Sequence, residues 1–368
     1  MTPIEFRSHI HAHPELSFRE EQTARFIAAQ LESEGIEYRT VAGTGILAKI
    51  EGEEPCDTRR AVVVRADIDA LPVEERTECE WKSRVPGVMH ACGHDVHSAV
   101  LFGMLQSLNR NRNFAGTVFG LFQPGEECNP GGASMVIAEN PFEGYDVKAV
   151  VGSHTEAGMP VGTFGFCAGK FMASNDELRF TVNGRGGHAA MRDRITDCVT
   201  AAAELILRLS KLNGENCVVS TGRIEADGAT NVIPDRVKTE GTMRTFDESL
   251  RMEIKRDIAA IAADVDAAYG TRTEVDINEG YPCVVNDPSL AAMACELAAK
   301  HFKSVQLPRR TTSEDFGRYG LHWPSLFFRF GVGENSGAAH TSVFAPDERA
   351  IAPAAEFTEM LVREILIR

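Results

Sequence analysis

The sequence predicts an α/β protein in which a mainly parallel sheet carries helices on both faces and is interrupted by a smaller ferredoxin-like domain. Two observations support this prediction. Short apolar runs alternate with amphipathic stretches near both ends of the chain, which is typical of parallel strands joined by helices. Between them the order of predicted elements changes to β-α-β-β-α-β, which is the ferredoxin-like pattern.

The larger domain begins with helical periodicity over residues 3–34. Strands and helices then alternate, with strands predicted at 61–66, 117–123 and 147–154 and helices at 98–108 and 131–139. The same alternation resumes near Pro288, where Asp287 precedes a helix start. A strand at 324–331 and a helix at 349–367 complete this part of the chain.

The middle of the chain supplies the inserted domain. Its predicted strands and helices are 176–184, 198–212, 217–226, 237–246, 249–270 and 272–281, and Gly270 closes the long second helix. We therefore predict a discontinuous larger domain of residues 1–170 and 283–368 and an inserted domain of residues 171–282.

Composition and charge exclude several classes of partner. The 368 residues carry a net charge of −15, which argues against binding to nucleic acid or to an anionic membrane. The N-terminus has no apolar segment typical of a signal peptide, and no run approaches the length of a membrane span. The nine cysteines have irregular spacing, so we expect a reducing, cytoplasmic location rather than a disulfide framework.

Residues 89–97, "MHACGHDVH", concentrate side chains that bind metal ions. Cysteine and histidine are ligands that zinc and neighbouring divalent metals prefer. In an extended segment Cys92 and His94 would point to the same side, because side chains alternate with a period of two. This density of ligands favours a metal site over a buried cysteine among solvated histidines.

Polar side chains also follow three of the predicted strands. Asp67 and Asp69 follow the first, Glu126 and Glu127 the second, and His154 ends the third. Because ligand sites in open α/β sheets lie beyond the carboxyl ends of the strands, we expect these groups to converge. If one glutamate of the pair binds a metal ion, the other can act as the general base that takes a proton from water.

The chain resembles the metal-dependent aminoacylase and carboxypeptidase family. The resemblance is to its amidohydrolase branch, which includes hippurate hydrolases, auxin-conjugate hydrolases and N-acetyldiaminopimelate deacetylases. It extends over nearly the whole chain, and the motifs occur in the family's order: "HAHPELSFREEQTARFI", "VVVRADIDALPVEE", "GVMHACGHDVHSAV", "FQPGEE", "GRGGHAA", "NVIPD", "TSEDFG" and "AAHTSVFAPDE".

The resemblance implies a site for two divalent ions, either zinc, manganese, cobalt or nickel. By motif position its ligands would be Cys92, His94, Glu127, His154 and His340. Cys92 would occupy the bridging place, and the metals would keep its thiolate deprotonated. Glu126 would be the general base, and Asp69 would orient a histidine ligand. His90 and His97 have no ligand role in this pattern.

The resemblance further implies that the inserted domain is a lid. His188 matches a histidine that stabilises the oxyanion, in related enzymes often from a neighbouring subunit. Asn231 and Arg244 match positions that hold the substrate carboxylate. We therefore expect a homodimer formed through the lid domain, with a purely dimerising role for that domain as the alternative.

These features predict a metal-dependent hydrolase that cleaves the amide bond of N-acyl amino acids by a metal-bound hydroxide. One alternative is a dipeptidase or carboxypeptidase with the same chemistry, and another is a non-catalytic metal-binding protein. The chain departs from the family pattern at Arg192–Asp193 and at Thr155–Glu156. Both departures lie where the variable group of the substrate is expected.

Overall fold

A computed structural model describes residues 1–56 and 58–367, and the chain divides into two compact units. Unit 1 comprises Met1–Gly169, Val285–Arg309 and Asp315–Arg368, and unit 2 comprises Lys170–Val284 and Arg310–Glu314. The short segment 310–314, which the sequence-based division did not include, joins unit 2 because Ala173 N donates to the backbone oxygens of Arg310 and Thr312. Among the described residues, no helix combines the length and the apolar character needed to cross a membrane.

The helices and strands are numbered in chain order. The helices are α1 (Pro3–Ala12), α2 (Glu21–Ser33), α3 (His94–Arg110), α4 (Gly132–Ala138), α5 (Cys198–Leu209), α6 (Glu248–Tyr269), α7 (Pro288–His301) and α8 (Ile351–Ile367). The strands are β1 (Glu37–Val41), β2 (Gly45–Glu51), β3 (Arg60–Asp67), β4 (Thr117–Gln123), β5 (Asp146–Glu156), β6 (Thr163–Phe166), β7 (Gly169–Met172), β8 (Asp176–Asn183), β9 (Gly187–His188), β10 (Cys217–Glu225), β11 (Val232–Ile233), β12 (Arg236–Thr245), β13 (Arg272–Glu279), β14 (Val284–Asn286), β15 (Lys303–Gln306) and β16 (Ser325–Gly331).

Unit 1 contains an eight-stranded sheet in the order β1-β2-β4-β3-β5-β16-β6-β15. Its centre, β4-β3-β5-β16, is parallel, whereas β1, β2 and β4 pair antiparallel and β6 runs antiparallel to β16. This confirms the predicted mainly parallel sheet. The carboxyl ends of β3 and β4 lie side by side, since Asp67 is in register with Gln123.

Helical segments cover both faces of this sheet. Phe328 of β16 packs on Phe357 of α8 with ring centroids 5.2 Å apart. Its neighbour Phe327 contacts Phe316, in the 3-10 helix Asp315–Leu321, at 5.0 Å. Because successive side chains of a strand point to opposite faces, these contacts lie on opposite sides of the sheet. All residues of β4 and β16 are buried, as a sheet covered on both faces requires.

The helical stretch predicted over residues 3–34 is two helices, α1 and α2. Pro14 disfavours helical backbone at the preceding residue, and His13 accordingly has φ −128° and ψ 55°. The helical periodicity over residues 3–34 therefore corresponds to two helices with a non-helical segment between them. The intervening segment contributes to the site described below, because Ser17 Oγ donates a hydrogen bond of 2.7 Å to Asp69.

Unit 2 confirms the predicted β-α-β-β-α-β order. Its four-stranded sheet has the order β10-β12-β8-β13 with antiparallel neighbours, and α5 and α6 pack on it. Asp197 and Asp247 cap the two helices through their side chains, and Gly270 ends α6 with φ +70°. A buried ion pair joins α6 to β8, since Arg251 Nε lies 2.7 Å from Asp176 Oδ2.

Candidate metal centre

Cys92 and His94 lie on a turn that leads into α3. The helix begins at His94, and the preceding Gly93 has φ +91°, which glycine adopts without steric cost. The expectation of an extended segment was therefore wrong. The turn nevertheless brings the donor atoms of Cys92, His94 and His154 within 4.8 Å of one another.

His94 is held in one tautomer by Asp69. Its Nδ1 lies 2.9 Å from the backbone oxygen of Asp69 and 3.2 Å from Oδ1, so Nδ1 carries a proton and faces two acceptors. Nε2 is buried, and within the described chain it has no hydrogen-bond partner. Burial alone would lower the pKa of His94, but the Asp67 carboxylate, Cys92 and the hydrogen bond to Asp69 together outweigh burial and raise this pKa well above its usual value. The position therefore favours positive charge.

His154 presents a neutral nitrogen to Cys92. Its Nδ1 lies 2.8 Å from the Thr155 backbone oxygen, which can only accept, and 3.1 Å from Arg329 Nη1, which can only donate. Nε2 lies 3.3 Å from Cys92 Sγ. Burial and the positive charge of Arg329 hold the pKa of His154 well below its usual value. A neutral imidazole is the form that binds metal ions.

Glu127 and His340 complete the cluster on the other side of Cys92. His340 Nε2 lies 3.2 Å from Cys92 Sγ and 3.4 Å from Glu127 Oε1. The backbone of His340 is held by a hydrogen bond of 2.7 Å to the Ala91 oxygen. Glu127 Oε1 is buried without a hydrogen-bond partner in the described ranges, and burial raises the pKa of this carboxyl group.

The donor set suits divalent cations. Two groups of three residues share Cys92, namely Cys92 with His94 and His154 and Cys92 with Glu127 and His340, and each lies within 4.8 Å. Burial and the Glu127 carboxylate raise the pKa of the Cys92 thiol well above its usual value, so a thiolate here requires positive charge nearby. His94 Nε2 and Glu127 Oε1, both unpartnered and buried in the described chain, are the atoms that cations would satisfy.

Asp69 and Glu126 lie beside these donors. Besides His94, Asp69 accepts hydrogen bonds from Ser17 Oγ at 2.7 Å and from the Glu127 backbone N–H at 2.9 Å. Asp69 thus orients one histidine and anchors the backbone of the glutamate pair. Glu126 is buried, and its Oε2 lies 4.0 Å from His94 Nε2.

The remaining histidines of this segment have other surroundings. His97 directs Nδ1 at Asp67 Oδ1, at 2.6 Å, and its Nε2 accepts the Thr155 N–H at 2.9 Å. Both ring nitrogens of His97 are therefore already engaged. Burial lowers the pKa of His90 to about 4. The sequence placed Asp67 among the groups expected to converge but assigned it no specific function, and the structure shows it as the last residue of the buried strand β3.

Unit 2 carries the three residues expected to contact substrate. His188 and Asn231 lie together at the two-stranded antiparallel sheet of β9 and β11, because His188 pairs with Val232 and Ala189 N donates to the Asn231 oxygen at 2.9 Å. Both side chains are exposed. Arg244 lies on β12, is half-buried, and donates from Nη1 to Ser313 Oγ at 3.1 Å. Within the described residues no hydrogen bond joins Arg244 to this two-stranded sheet.

The two departures from the family pattern differ in their surroundings. Arg192 and Asp193 are exposed on unit 2, where they contact solvent. Thr155 is buried in unit 1 beside the donors, and Glu156 Oε2 lies 3.6 Å from Arg329 Nη1. The second departure therefore belongs to the surroundings of the candidate centre itself.

This cluster of cysteine, histidine and carboxylate donors defines a candidate centre for two metal ions. Residues 63–364 match the profile of peptidase family M20/M25/M40, and the chain belongs to this family. It is similar to N-acetyl-L-cysteine deacetylase of Bacillus subtilis, with 36% identity over 99% of this chain and 88% of the relative. It is also similar to N-acyl-L-amino acid amidohydrolase of Geobacillus stearothermophilus, with 37% identity over 77% of each chain.

A solved structure gives the same result. The fold is similar to that of a Bacillus subtilis protein described as a dinuclear metal-binding peptidase of the M20 family. The TM-score is 0.88 and the sequence identity 35%, over 99% of this chain and 98% of that protein. The resemblance stated from the motifs is thereby confirmed at the level of the family.

Proposed function

We propose that this protein is a metal-dependent amidohydrolase that cleaves N-acyl amino acids into a carboxylic acid and a free amino acid. The observation that carries the proposal is the cluster around Cys92, in which five potential ligands meet and the Glu126 carboxyl group lies 4.0 Å from His94. The curated relatives, named as acting on N-acetylcysteine and on N-acyl-L-amino acids, support the choice of substrate class.

We assign the metal ligands to Cys92, His94, Glu127, His154 and His340. When bound there, two divalent ions would polarise the amide carbonyl and lower the pKa of a water molecule. Zinc, manganese, cobalt and nickel all accept a set of thiolate, imidazole and carboxylate ligands. Asp69 keeps the Nδ1 proton of His94 in place, so that Nε2 remains the donor to the metal.

Glu126 performs the proton transfers. Its carboxylate takes the proton from water as the oxygen adds to the carbonyl carbon, and then delivers that proton to the leaving nitrogen. The C–N bond breaks, and the products are the acid and the amine. His188 donates a hydrogen bond to the carbonyl oxygen as negative charge develops.

Arg244 and Asn231 bind the free carboxylate of the substrate. A guanidinium group presents parallel N–H donors that match the two oxygens of a carboxylate. In the described structure the Arg244 guanidinium makes one hydrogen bond, to Ser313, which leaves donors for an anionic ligand. Burial also lowers the pKa of Arg244, as expected for a cation that lacks a close anionic partner.

The reaction class can be tested with metal-free protein reconstituted with zinc or manganese. The assay measures amine release from a panel of N-acyl amino acids, from acetyl through benzoyl to indoleacetyl, beside matching dipeptides. We expect metal-dependent release from at least one N-acyl amino acid. Cleavage of dipeptides alone would indicate a peptidase, and no release from any compound with two bound metals would indicate a non-catalytic protein.

The role of Glu126 has a more specific test. Glu126→Gln should bind two metal ions as the wild type does and lower kcat by at least about 10²-fold, since general acid–base catalysis typically contributes 10²–10⁴-fold. Glu143→Gln, which changes an exposed glutamate, is the control and should leave kcat unchanged. Normal turnover by Glu126→Gln would contradict the assignment.

We further propose that unit 2 mediates a homodimer. Large apolar side chains are exposed on α5 and β10, including Leu207 at 61% and Ile224 at 59%, and β10 is an edge strand. Edge strands and exposed apolar side chains are features of surfaces that pair. Sedimentation of the wild type should give twice the chain mass of 40.2 kDa, and Leu207→Glu should shift it towards the monomer.

A reducing, cytoplasmic location is also proposed. None of the nine cysteines, all of which lie in the described residues, forms a disulfide. Unpaired cysteines persist where glutathione and thioredoxin keep thiols reduced. Fractionation of cells that make the protein would test the location, and recovery from an oxidising compartment would contradict it.

A further inference from the structure

We infer that Thr155, supported by His97 and Asp67, is a positioning residue that holds Cys92 and His154 as a preformed pair of metal donors. The inference rests on the ligand set of the proposed function and deepens it. It assigns a role to a residue at which this chain departs from the family pattern. It also accounts for a buried Asp–His pair that the proposed reaction does not use.

Thr155 contacts both donors through different atoms. Its Oγ1 donates a hydrogen bond of 3.1 Å to the backbone oxygen of Cys92. Its own backbone oxygen lies 2.8 Å from His154 Nδ1, and Arg329 Nη1 donates to the same oxygen at 3.1 Å. The residue is 3% exposed, so water does not compete for these bonds. One residue therefore ties the backbone of one donor to the ring of the other.

A chain of hydrogen bonds through His97 to Asp67 holds the backbone N–H of Thr155. The Thr155 N–H donates to His97 Nε2 at 2.9 Å, and His97 Nδ1 lies 2.6 Å from Asp67 Oδ1. Because Asp67 accepts at Nδ1, His97 must carry its proton there, and Nε2 is left as the acceptor that Thr155 needs. Arg65 Nη1 in turn donates to Asp67 Oδ2 at 2.7 Å, which fixes the carboxylate.

Packing restricts the same residue. A Cβ at Gly93 would lie 2.9 Å from Thr155 Oγ1 and 3.0 Å from its Cγ2, which is closer than real Cβ contacts. The threonine side chain therefore lies directly against the turn between Cys92 and His94. Valine has the same shape and would keep this packing, but it cannot donate a hydrogen bond to Cys92.

The consequence concerns the free energy of metal binding. If the donors are already oriented, binding does not have to order them, and affinity is higher. Hydrogen-bonding partners of metal ligands typically contribute 10–100-fold to affinity. Removing only the Thr155 hydroxyl loses its bond to the Cys92 oxygen and its 3.3 Å contact with His154 Nδ1, and should therefore weaken metal binding by about tenfold.

The test uses the full-length protein, stripped of metal, in a Co²⁺ titration against a chromophoric chelator. Co²⁺ also reports on Cys92 directly, because a thiolate ligand gives a charge-transfer absorption band. Thr155→Val should weaken Co²⁺ binding by about tenfold and shift or weaken that band, whereas Thr155→Ser, which keeps the hydroxyl, should restore both. Both the Co²⁺ affinity and the absorption band are measured in the absence of substrate, so the test does not depend on catalytic activity.

Thr358→Val is the matched control. Thr358 is 1% exposed, and its Oγ1 donates to the Ala354 backbone oxygen at 2.7 Å within α8, so the variant loses a comparable buried hydrogen bond away from the donors. It should keep wild-type Co²⁺ affinity. The inference is overturned if Thr155→Val binds Co²⁺ with unchanged affinity and absorption, or if Thr358→Val weakens binding equally.

A parallel titration of Cys92→Ala separates this inference from the proposed function. If Cys92→Ala loses the charge-transfer band and Thr155→Val leaves it unchanged, Cys92 is confirmed as a ligand and the positioning role of Thr155 is wrong. If Cys92→Ala also binds as the wild type does, the proposed ligand set itself is wrong, and the inference falls with it.

Discussion

The metal donors of unit 1 and the expected substrate residues of unit 2 differ in how they are held. His94 and His154 are buried, and each has its second ring nitrogen fixed by a backbone or carboxylate oxygen. His188 and Asn231 are exposed. In unit 1, His94 and His97 each have a ring nitrogen held by a buried carboxylate, whereas the proposed ligand His340 is exposed.

This difference follows from the tasks that we propose for the two units. Metal ligands must hold a fixed geometry, and buried hydrogen-bond networks maintain such geometry. Groups that bind a substrate carboxylate must exchange water for ligand at every turnover, so they remain accessible. The comparison predicts that substitutions near the donors act on metal affinity and stability, whereas those in unit 2 act on substrate binding.

The largest effect is expected for Cys92→Ala. Loss of a ligand shared by both groups of donors should reduce Co²⁺ affinity by more than the 10–100-fold typical of an outer hydrogen-bonding partner. Calorimetric titration of the metal-free protein would measure it. Cys128→Ala removes an exposed thiol next to Glu127 and should bind normally; equal weakening in both variants would contradict a ligand role for Cys92.

The next effect concerns the folding stability of the donor region. Arg7 Nε of α1 lies 2.8 Å from Asp95 Oδ2 at the start of α3, and both side chains are fully buried. Arg7→Met leaves a buried carboxylate without this partner and should lower the free energy of unfolding by about 3–5 kcal/mol. Urea unfolding of the metal-free protein would measure this.

A control and a pH dependence sharpen this prediction. Arg349→Met breaks a surface pair with Asp347 and should cost about 0–1 kcal/mol.

Burial by itself raises the pKa of Asp95, but Arg7 and His11 outweigh burial and hold this pKa well below its usual range. The contribution of Asp95 to the free energy of unfolding is therefore fully present above its unfolded-state pKa of about 4. This contribution is lost as the pH falls below that value. A wild type and an Arg7→Met variant with equal acid sensitivity would contradict this account.

The smallest effect is expected in unit 2. Arg244→Ala should lower kcat/KM for N-acyl amino acids by about 10–100-fold, the equivalent of one charge-assisted hydrogen bond of 1.5–3 kcal/mol, and leave metal affinity unchanged. Hydrolysis of an N-acyl amine that lacks the carboxylate should be nearly unaffected. Arg179→Ala, on the neighbouring strand β8, is the control. A loss of metal affinity in Arg244→Ala would contradict the proposed division of tasks.

The sequence by itself determined the class of fold and the inventory of donors. Alternation of apolar runs predicted the parallel centre of the sheet and the β-α-β-β-α-β insert, because those patterns depend on local burial. Short motifs identified Cys92, His94 and the Glu126–Glu127 pair as candidate donors, because the residue types that bind metal ions occur together within a few positions. The antiparallel strands β1 and β2 were not predicted, although they are consecutive in sequence; only the pairing of β2 with β4 joins distant segments.

Only the tertiary structure decided how the donors are oriented. A side chain at Gly93 would collide with Thr155, and the Nδ1 atoms of His94 and His97 face oxygens of Asp69 and Asp67 on other parts of the chain. The sequence already placed Asp67 at the site, but its pairing with His97 is visible only in the tertiary structure. A hydrogen bond between residues 30 to 60 positions apart leaves no local pattern, because its partners meet only after the sheet has formed.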